Sequence, residues 1–309
     1  MPRQLTIIVF PGGANLPLWS GIKQGFFAQQ GLDVVPSYTR SSVEQISGLV
    51  SGQWDLGLTG FDNIVAYQEG QGEAKLDREP DLFAFMGGDN AFLRFVVQKD
   101  ITSYADLKGK TLSVDALTTG FAFVLRKMLQ QNGLAGGDVS FESAGGVVQR
   151  FEALKAGKHA GTLVLTPFEL IGARAGLRLL QSASDIVPHY QGIVGVASKR
   201  WAEANAEALT GFIKGYLVAL RWLLDPANRA AAEPILVENV PGMTVELAAA
   251  TCDIFLSPGG FEPSARLDSQ GMRAVLALRS EYGQPQKILA NENKYQNAVY
   301  YERAMAALA

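Results

Sequence analysis

The feature that most constrains this chain is an alternation of short apolar runs with helix-period segments, completed once and then begun again near residue 100. Ile7-Ile8-Val9-Phe10 is a continuous apolar run, as a parallel strand covered on both faces requires. Pro11-Gly12-Gly13 breaks it. Pro17 suits a first helical turn, Leu18, Ile22 and Phe26 follow at helical spacing, and Gly31 closes the segment. The same reading predicts strands over 32–38, 54–59, 81–86 and 93–97, with helices over 42–51 and 61–69. The second round predicts strands over 110–114, 139–142, 160–165 and 177–180, with helices over 121–131, 147–156 and 167–175. A strand-like stretch over 190–197 then gives way to helices over 201–224, 229–238, 245–255, 267–282 and 296–307. Each half reads as a βαβα unit burying a sheet between helices, and the tail as packing helices.

With 309 residues the chain has room for two lobes. Its 27 basic and 30 acidic residues give a net charge of −3 with no basic stripe, so nucleic acid is not an expected partner. Cys252 is the single cysteine and stands in an apolar helical stretch, which excludes an internal disulfide and predicts a buried thiol. His159 and His189 lie far apart without ligand spacing, so no metal, no cofactor and no histidine-based triad is expected. No apolar run reaches the roughly 18 residues of a membrane span. Residues 1–4 enter the first strand directly, without a leader. The expectation is a periplasmic protein whose leader has been removed, with the cytoplasm left open.

The segment from Pro17-Leu18-Trp19 through Gly25-Phe26-Phe27 to Gly31-Leu32-Asp33-Val34 is similar to the opening of the SsuA/TauA/NMT1-THI5-like binding proteins. Three further segments match that family in order. They are Ser51-Gly52-Gln53-Trp54-Asp55-Leu56-Gly57, Ser103-Tyr104-Ala105-Asp106-Leu107-Lys108-Gly109-Lys110-Thr111 and Ala197-Ser198-Lys199-Arg200-Trp201-Ala202. The resemblance spans nearly the whole chain. It implies an α/β, two-lobed, type II periplasmic-binding fold with two crossing hinge strands, near 93–97 and 192–197, and a ligand cleft between the lobes. Residues 1–92 plus 198–309 would form the first lobe and 93–197 the second.

In open α/β sheets, ligands sit beyond the carboxyl ends of the strands, where loops lead into helix N-termini. The loops that qualify here supply the candidate ligand-binding residues. Asn15, Ser41, Ser42, Asp62, Asn63, Thr118, Thr119 and Thr166 are polar candidates, and each hydroxyl or carboxylate serves equally as a helix cap. Thr118-Thr119 stands out, since two adjacent hydroxyls exceed what one cap needs, and the resemblance places ligand contacts in these loops. Asp62 reads first as a cap of its own helix; facing the cleft, it would disfavour a purely anionic ligand. Asn90, beside a crossing, could direct an amide. Trp19, Phe121, Phe168 and Tyr190 are candidate apolar walls, or core.

Three function classes fit such a chain. The first is the substrate-binding component of an ABC importer, taking a small organic molecule (a sulfonate, carboxylate or pyrimidine-like compound), meeting permease subunits at the inner membrane and working as a monomer without catalytic residues. The second is an enzyme on the same fold, of menaquinone-pathway or THI5-like pyrimidine type, with His189 as its proton-transfer candidate. The third, a regulatory effector domain, ranks last because no helix-turn-helix precedes the first strand.

Overall fold

A computed structural model describes residues 2–308; Met1 and Ala309, the ends of the expected first lobe, lie outside the described residues. Ten strands form two five-stranded sheets. The first half supplies β1 (Arg3–Val9), β2 (Leu32–Tyr38), β3 (Leu56–Gly60) and β4 (Leu82–Met86). The second supplies β5 (Leu93–Val97), β6 (Thr111–Val114), β7 (Ser140–Ser143), β8 (Gly161–Leu165) and β9 (Arg178–Ser182), and β10 (Ile193–Ser198) follows. The orders are β2-β1-β3-β10-β4 and β7-β6-β8-β5-β9. In each sheet three neighbouring strands are parallel, as the continuous apolar runs imply. The strand next to that trio runs antiparallel in both sheets: β10 against β3 and β4, β5 against β8 and β9.

The helices are α1 (Leu16–Lys23), α2 (Ser42–Ser51), α3 (Phe61–Gln68), α4 (Gly120–Gln131), α5 (Val147–Lys155), α6 (Phe168–Arg174), α7 (Lys199–Ala204), α8 (Ala206–Leu224), α9 (Arg229–Asn239), α10 (Val245–Leu256), α11 (Ser269–Tyr282) and α12 (Val299–Ala306). The long helix expected over 201–224 is two helices. Asn205 leaves the helical region at φ −134°, and its amide donates to the Trp201 carbonyl at 2.7 Å, in competition with the backbone ladder. The α8 spacing packs as read: Phe212, Tyr216, Leu220 and Leu223 are buried, and Phe212 stacks on Phe27 with centroids 5.1 Å apart. Cys252 is buried in the same core. Among the described residues no helix is long and apolar enough to cross a membrane.

The chain passes between the sheets over residues 87–92 and 183–192, just ahead of the two strands expected to make the crossings. Residues 193–197, expected in the second lobe, are hydrogen-bonded into the first sheet through β10. One side chain ties the passages together. Asp89 Oδ1 accepts from Ala91 N at 2.6 Å and Ile193 N at 3.0 Å, and its carbonyl accepts from Gly192 N at 3.0 Å. Gly192 is needed there because a Cβ would strike the Ala91 backbone. Ala91 and Phe92 take positive φ values of 72° and 47°, a costly conformation for side chains of their type. Burial raises the Asp89 pKa from 3.8 to about 6, against the pull of the two N–H donors.

Candidate ligand-binding cleft

The carboxyl ends of strands from both sheets face one another. Phe10 follows β1, Gly60 ends β3, Asp115 follows β6 and Leu165 ends β8; all four line one pocket that opens to solvent. Ile193, at the start of β10, and Val147, at the start of α5, complete its apolar wall. Alternation of strand and helix dictates this convergence, since each strand must end where the next helix begins. A smaller hollow lies alongside, lined by Pro11–Asn15 and sharing Phe10, Val147, Leu165 and Ile193.

Of the residues singled out from sequence, the pocket brings together Asp62, Asn63, Thr119 and Phe121. The Asn63 amide donates to Thr59 Oγ1 at 2.8 Å, leaving its oxygen free of that bond. Thr119 precedes α4, but its hydroxyl donates back to the Ala116 carbonyl at 3.0 Å instead of capping the helix. Thr118 contributes its carbonyl to Arg279. Asp62 does not cap its own helix, whose N-cap position is Gly60; it reaches across to the Gly120 amide at the start of α4, at 2.6 Å.

The others lie at the margins or inside the core. Asn15 lines the adjoining hollow and donates to the Phe10 carbonyl at 2.7 Å, fixing the loop after β1. Ser41 caps α2 through Glu44 N at 3.2 Å, and Ser42 is buried beside it. Their loop still faces the second half, because the Arg40 carbonyl accepts from Gly146 N at 2.8 Å. Trp19 is buried, with its indole donating to the Tyr38 hydroxyl at 2.9 Å. Thr166 donates to Glu169 at 2.6 Å, and Phe168 packs against Phe151. Asn90 accepts from Phe92 N and lines other hollows. Tyr190 sits behind the pocket with its ring 6.3 Å from that of Phe121, and its buried hydroxyl meets no partner among the described residues. Burial and nearby Asp62 push that hydroxyl's pKa up, so it stays a neutral donor.

Sequence reasoning missed Phe10, Asp115, Arg150 and Arg279. Asp115 follows a predicted strand directly, the one signal that marked it. Its Oδ1 is buried and accepts no hydrogen bond from the protein. Arg150 is 3% exposed and donates to Thr162 Oγ1, the Gly145 carbonyl and the Leu163 carbonyl at 3.2, 2.7 and 3.2 Å. Burial lowers its pKa, and Asp115 pulls it back. Arg279, from the tail, forks onto Asp62 with Nε–Oδ1 at 2.6 Å and Nη2–Oδ2 at 2.9 Å. Neither histidine lies in the pocket. His159 is buried 3.2 Å from Glu142, and His189 lines a separate groove 3.8 Å from Asp268. Among the described residues no cluster of three or more His, Cys, Asp or Glu is placed to hold a metal.

The comparisons agree with this architecture. A formylaminopyrimidine-binding protein of Halalkalibacterium halodurans is 22% identical over 235 residues, 72% of this chain and 66% of that relative, so the match spans just under two thirds of the relative's length. The periplasmic nitrate-binding protein NrtA from Synechocystis PCC 6803 superposes with a TM-score of 0.80 at 13% identity, over 99% of this chain and 89% of that one. The alkanesulfonate-binding protein SsuA from Xanthomonas axonopodis pv. citri, bound to MOPS, superposes at 0.70 with 19% identity and 98% of each chain covered. The expected two-lobed binding-protein fold is therefore observed. The NMT1/THI5 like family profile matches residues 15–230, well over half of the sequence, and the chain belongs to that family.

Proposed function

We propose that this protein is the substrate-binding component of an ABC importer, holding a small, flat, nitrogen-bearing organic molecule between its lobes. The observation that carries the reading is the pocket at which four strand ends from two different sheets meet. The halves of the site belong to separate sheets joined by two short passages, so ligand would bind by desolvation as the gap closes. Phe10, Phe121, Val147, Leu165 and Ile193 offer flat and aliphatic walls. The Asp115 carboxylate at the pocket wall suits an N–H donor, and the Asn63 oxygen offers a second acceptor. An aminopyrimidine-like ring meets both demands, which agrees with the ligand in the name of the Halalkalibacterium relative. An enzyme reading gains nothing from His159 or His189, since both lie outside the pocket.

In this reading Asn63, Thr119 and Phe121 touch ligand, joined by Phe10 and Asp115. The lobes divide at the two passages, with residues 193–197 in the first lobe, the protein acts as a monomer in the periplasm, and its partners are permease subunits. Titration calorimetry with 4-aminopyrimidine and its substituted relatives tests the proposal. Saturable binding is expected to raise the melting temperature, and Phe121→Ala to weaken it about tenfold by losing part of a ring's burial. A panel of flat ring amines that leaves the melting curve unmoved would overturn it.

A further inference from the structure

The amide at the start of α4 already has an anion, and that anion belongs to the protein. α4 is a 12-residue helix whose N-cap residue, Thr119, supplies no side-chain cap. Asp62, on α3 of the facing half, fills that role with Oδ2 2.6 Å from Gly120 N. A positive helix terminus and a carboxylate attract each other, and the bond is charge-assisted. Gly120 is the residue that permits it: a Cβ there would collide with the Asp62 carboxylate.

Arg279 fixes the carboxylate in place. Besides its fork onto Asp62, Nη2 donates to the Thr118 carbonyl at 2.6 Å and Nη1 to Gln71 at 3.1 Å, and the guanidinium lies 5.0 Å from the Phe123 ring centroid. Arg279 is 0% exposed and Asp62 4%. The cation that lines the pocket itself, Arg150, turns three N–H groups onto its own half, to Thr162, Gly145 and Leu163.

We propose that Asp62, locked by Arg279, is a specificity-determining residue of the cleft: its carboxylate takes the helix terminus an oxyanion would need and so excludes small sulfonates, carboxylates and nitrate. This rests on the receptor reading above. The exclusion is electrostatic as well as steric, since a second anion at that terminus would meet Asp62 before it met the amide.

Full-length wild type, Asp62→Ala and Asp62→Asn, titrated with methanesulfonate, nitrate, formate and 4-aminopyrimidine, test it. Wild type is expected to show no saturable response to the three anions at millimolar concentration. Asp62→Ala opens the space between Arg279 and Gly120 N, and formate is expected to restore its melting temperature saturably, at least about tenfold more tightly than it acts on wild type. Chloride at the same ionic strength is expected to do nothing; a merely structural ion pair would be rescued by formate, which matches the lost carboxylate, but not by methanesulfonate or nitrate, which the opened site is expected to admit. Should Asp62→Ala not fold, Asp62→Asn removes the charge but still fills the space, so a smaller gain in anion binding, from the lost repulsion alone, is expected. Saturable anion binding by wild type, or a folded variant indifferent to formate or rescued by formate alone, overturns the proposal. If wild type ignores 4-aminopyrimidine as well while the anions still bind Asp62→Ala, the ring-amine ligand falls and the exclusion of anions by Asp62 stands.

Discussion

Two of the seams along which the halves of the molecule meet outside the hinge are built from different materials. Along one, α11 lies against α4: Arg279 and Asp62 are sealed from water, with Lys127–Glu281 at 3.0 Å and Tyr282–Gln130 at 2.7 Å around them. Along the other, α10 faces α6: Phe255 and Pro167 close around Gly13, and the charged contact is Arg174 with Glu246 at 3.6 Å, its side chains 50% and 74% exposed. Water weakens the second pair and leaves the first at full strength, but the first has already lost its hydration. A buried pair holds an assembly together mainly by what its loss would leave behind.

The contrast predicts its own largest effect. Arg279→Ala strands Asp62 beside the helix terminus without its cation and should cost about 3–5 kcal/mol in urea unfolding. A loss under about 1 kcal/mol would mean that solvent reaches the pair. The hinge sharpens the point, because Asp89 is buried like Asp62 yet has two backbone amides in place of a cation. Its pKa is raised, so the folded protein binds that proton more tightly than the unfolded chain does. The stabilising contribution is therefore complete below about 4 and is lost as pH rises through about 6. At about 1.4 kcal/mol per pKa unit, the loss is roughly 3 kcal/mol at most. Asp89→Asn keeps an acceptor for both amides and has no charge to bury. Melts of both proteins should diverge between pH 4 and 7, with the variant gaining relative to wild type as pH rises; parallel profiles would remove Asp89 from the account. The smallest effect belongs to the exposed seam, where Arg174→Ala should leave the melting temperature within about 2 °C.

Much of this molecule was legible in its sequence because the signals are local. Apolar runs at β1, β3 and β8 mark strands covered on both faces, and Gly-, Pro- and hydroxyl-rich junctions mark where each ends. Helix spacing located α9, α10 and α11 to within two residues at either end. The strand-to-helix junctions also located much of the pocket, since Asn63, Thr119 and Phe121 stand at them. Asn205 shows the limit of periodicity: the apolar repeat runs on through it, while one amide bonding back to Trp201 ends the helix.

The sequence by itself determined which segments are strands and helices, and that loops from two α/β units would be rich in groups suited to a ligand. Only the tertiary structure decided that β5 and β10 enter antiparallel, that Asp62 serves a helix in the opposite half, and that its counterion comes from 217 residues further along the chain. The reason is one of range. Periodicity and capping are settled by neighbours a few residues apart, whereas an ion pair or a strand pairing is settled by which surfaces the folded chain brings together.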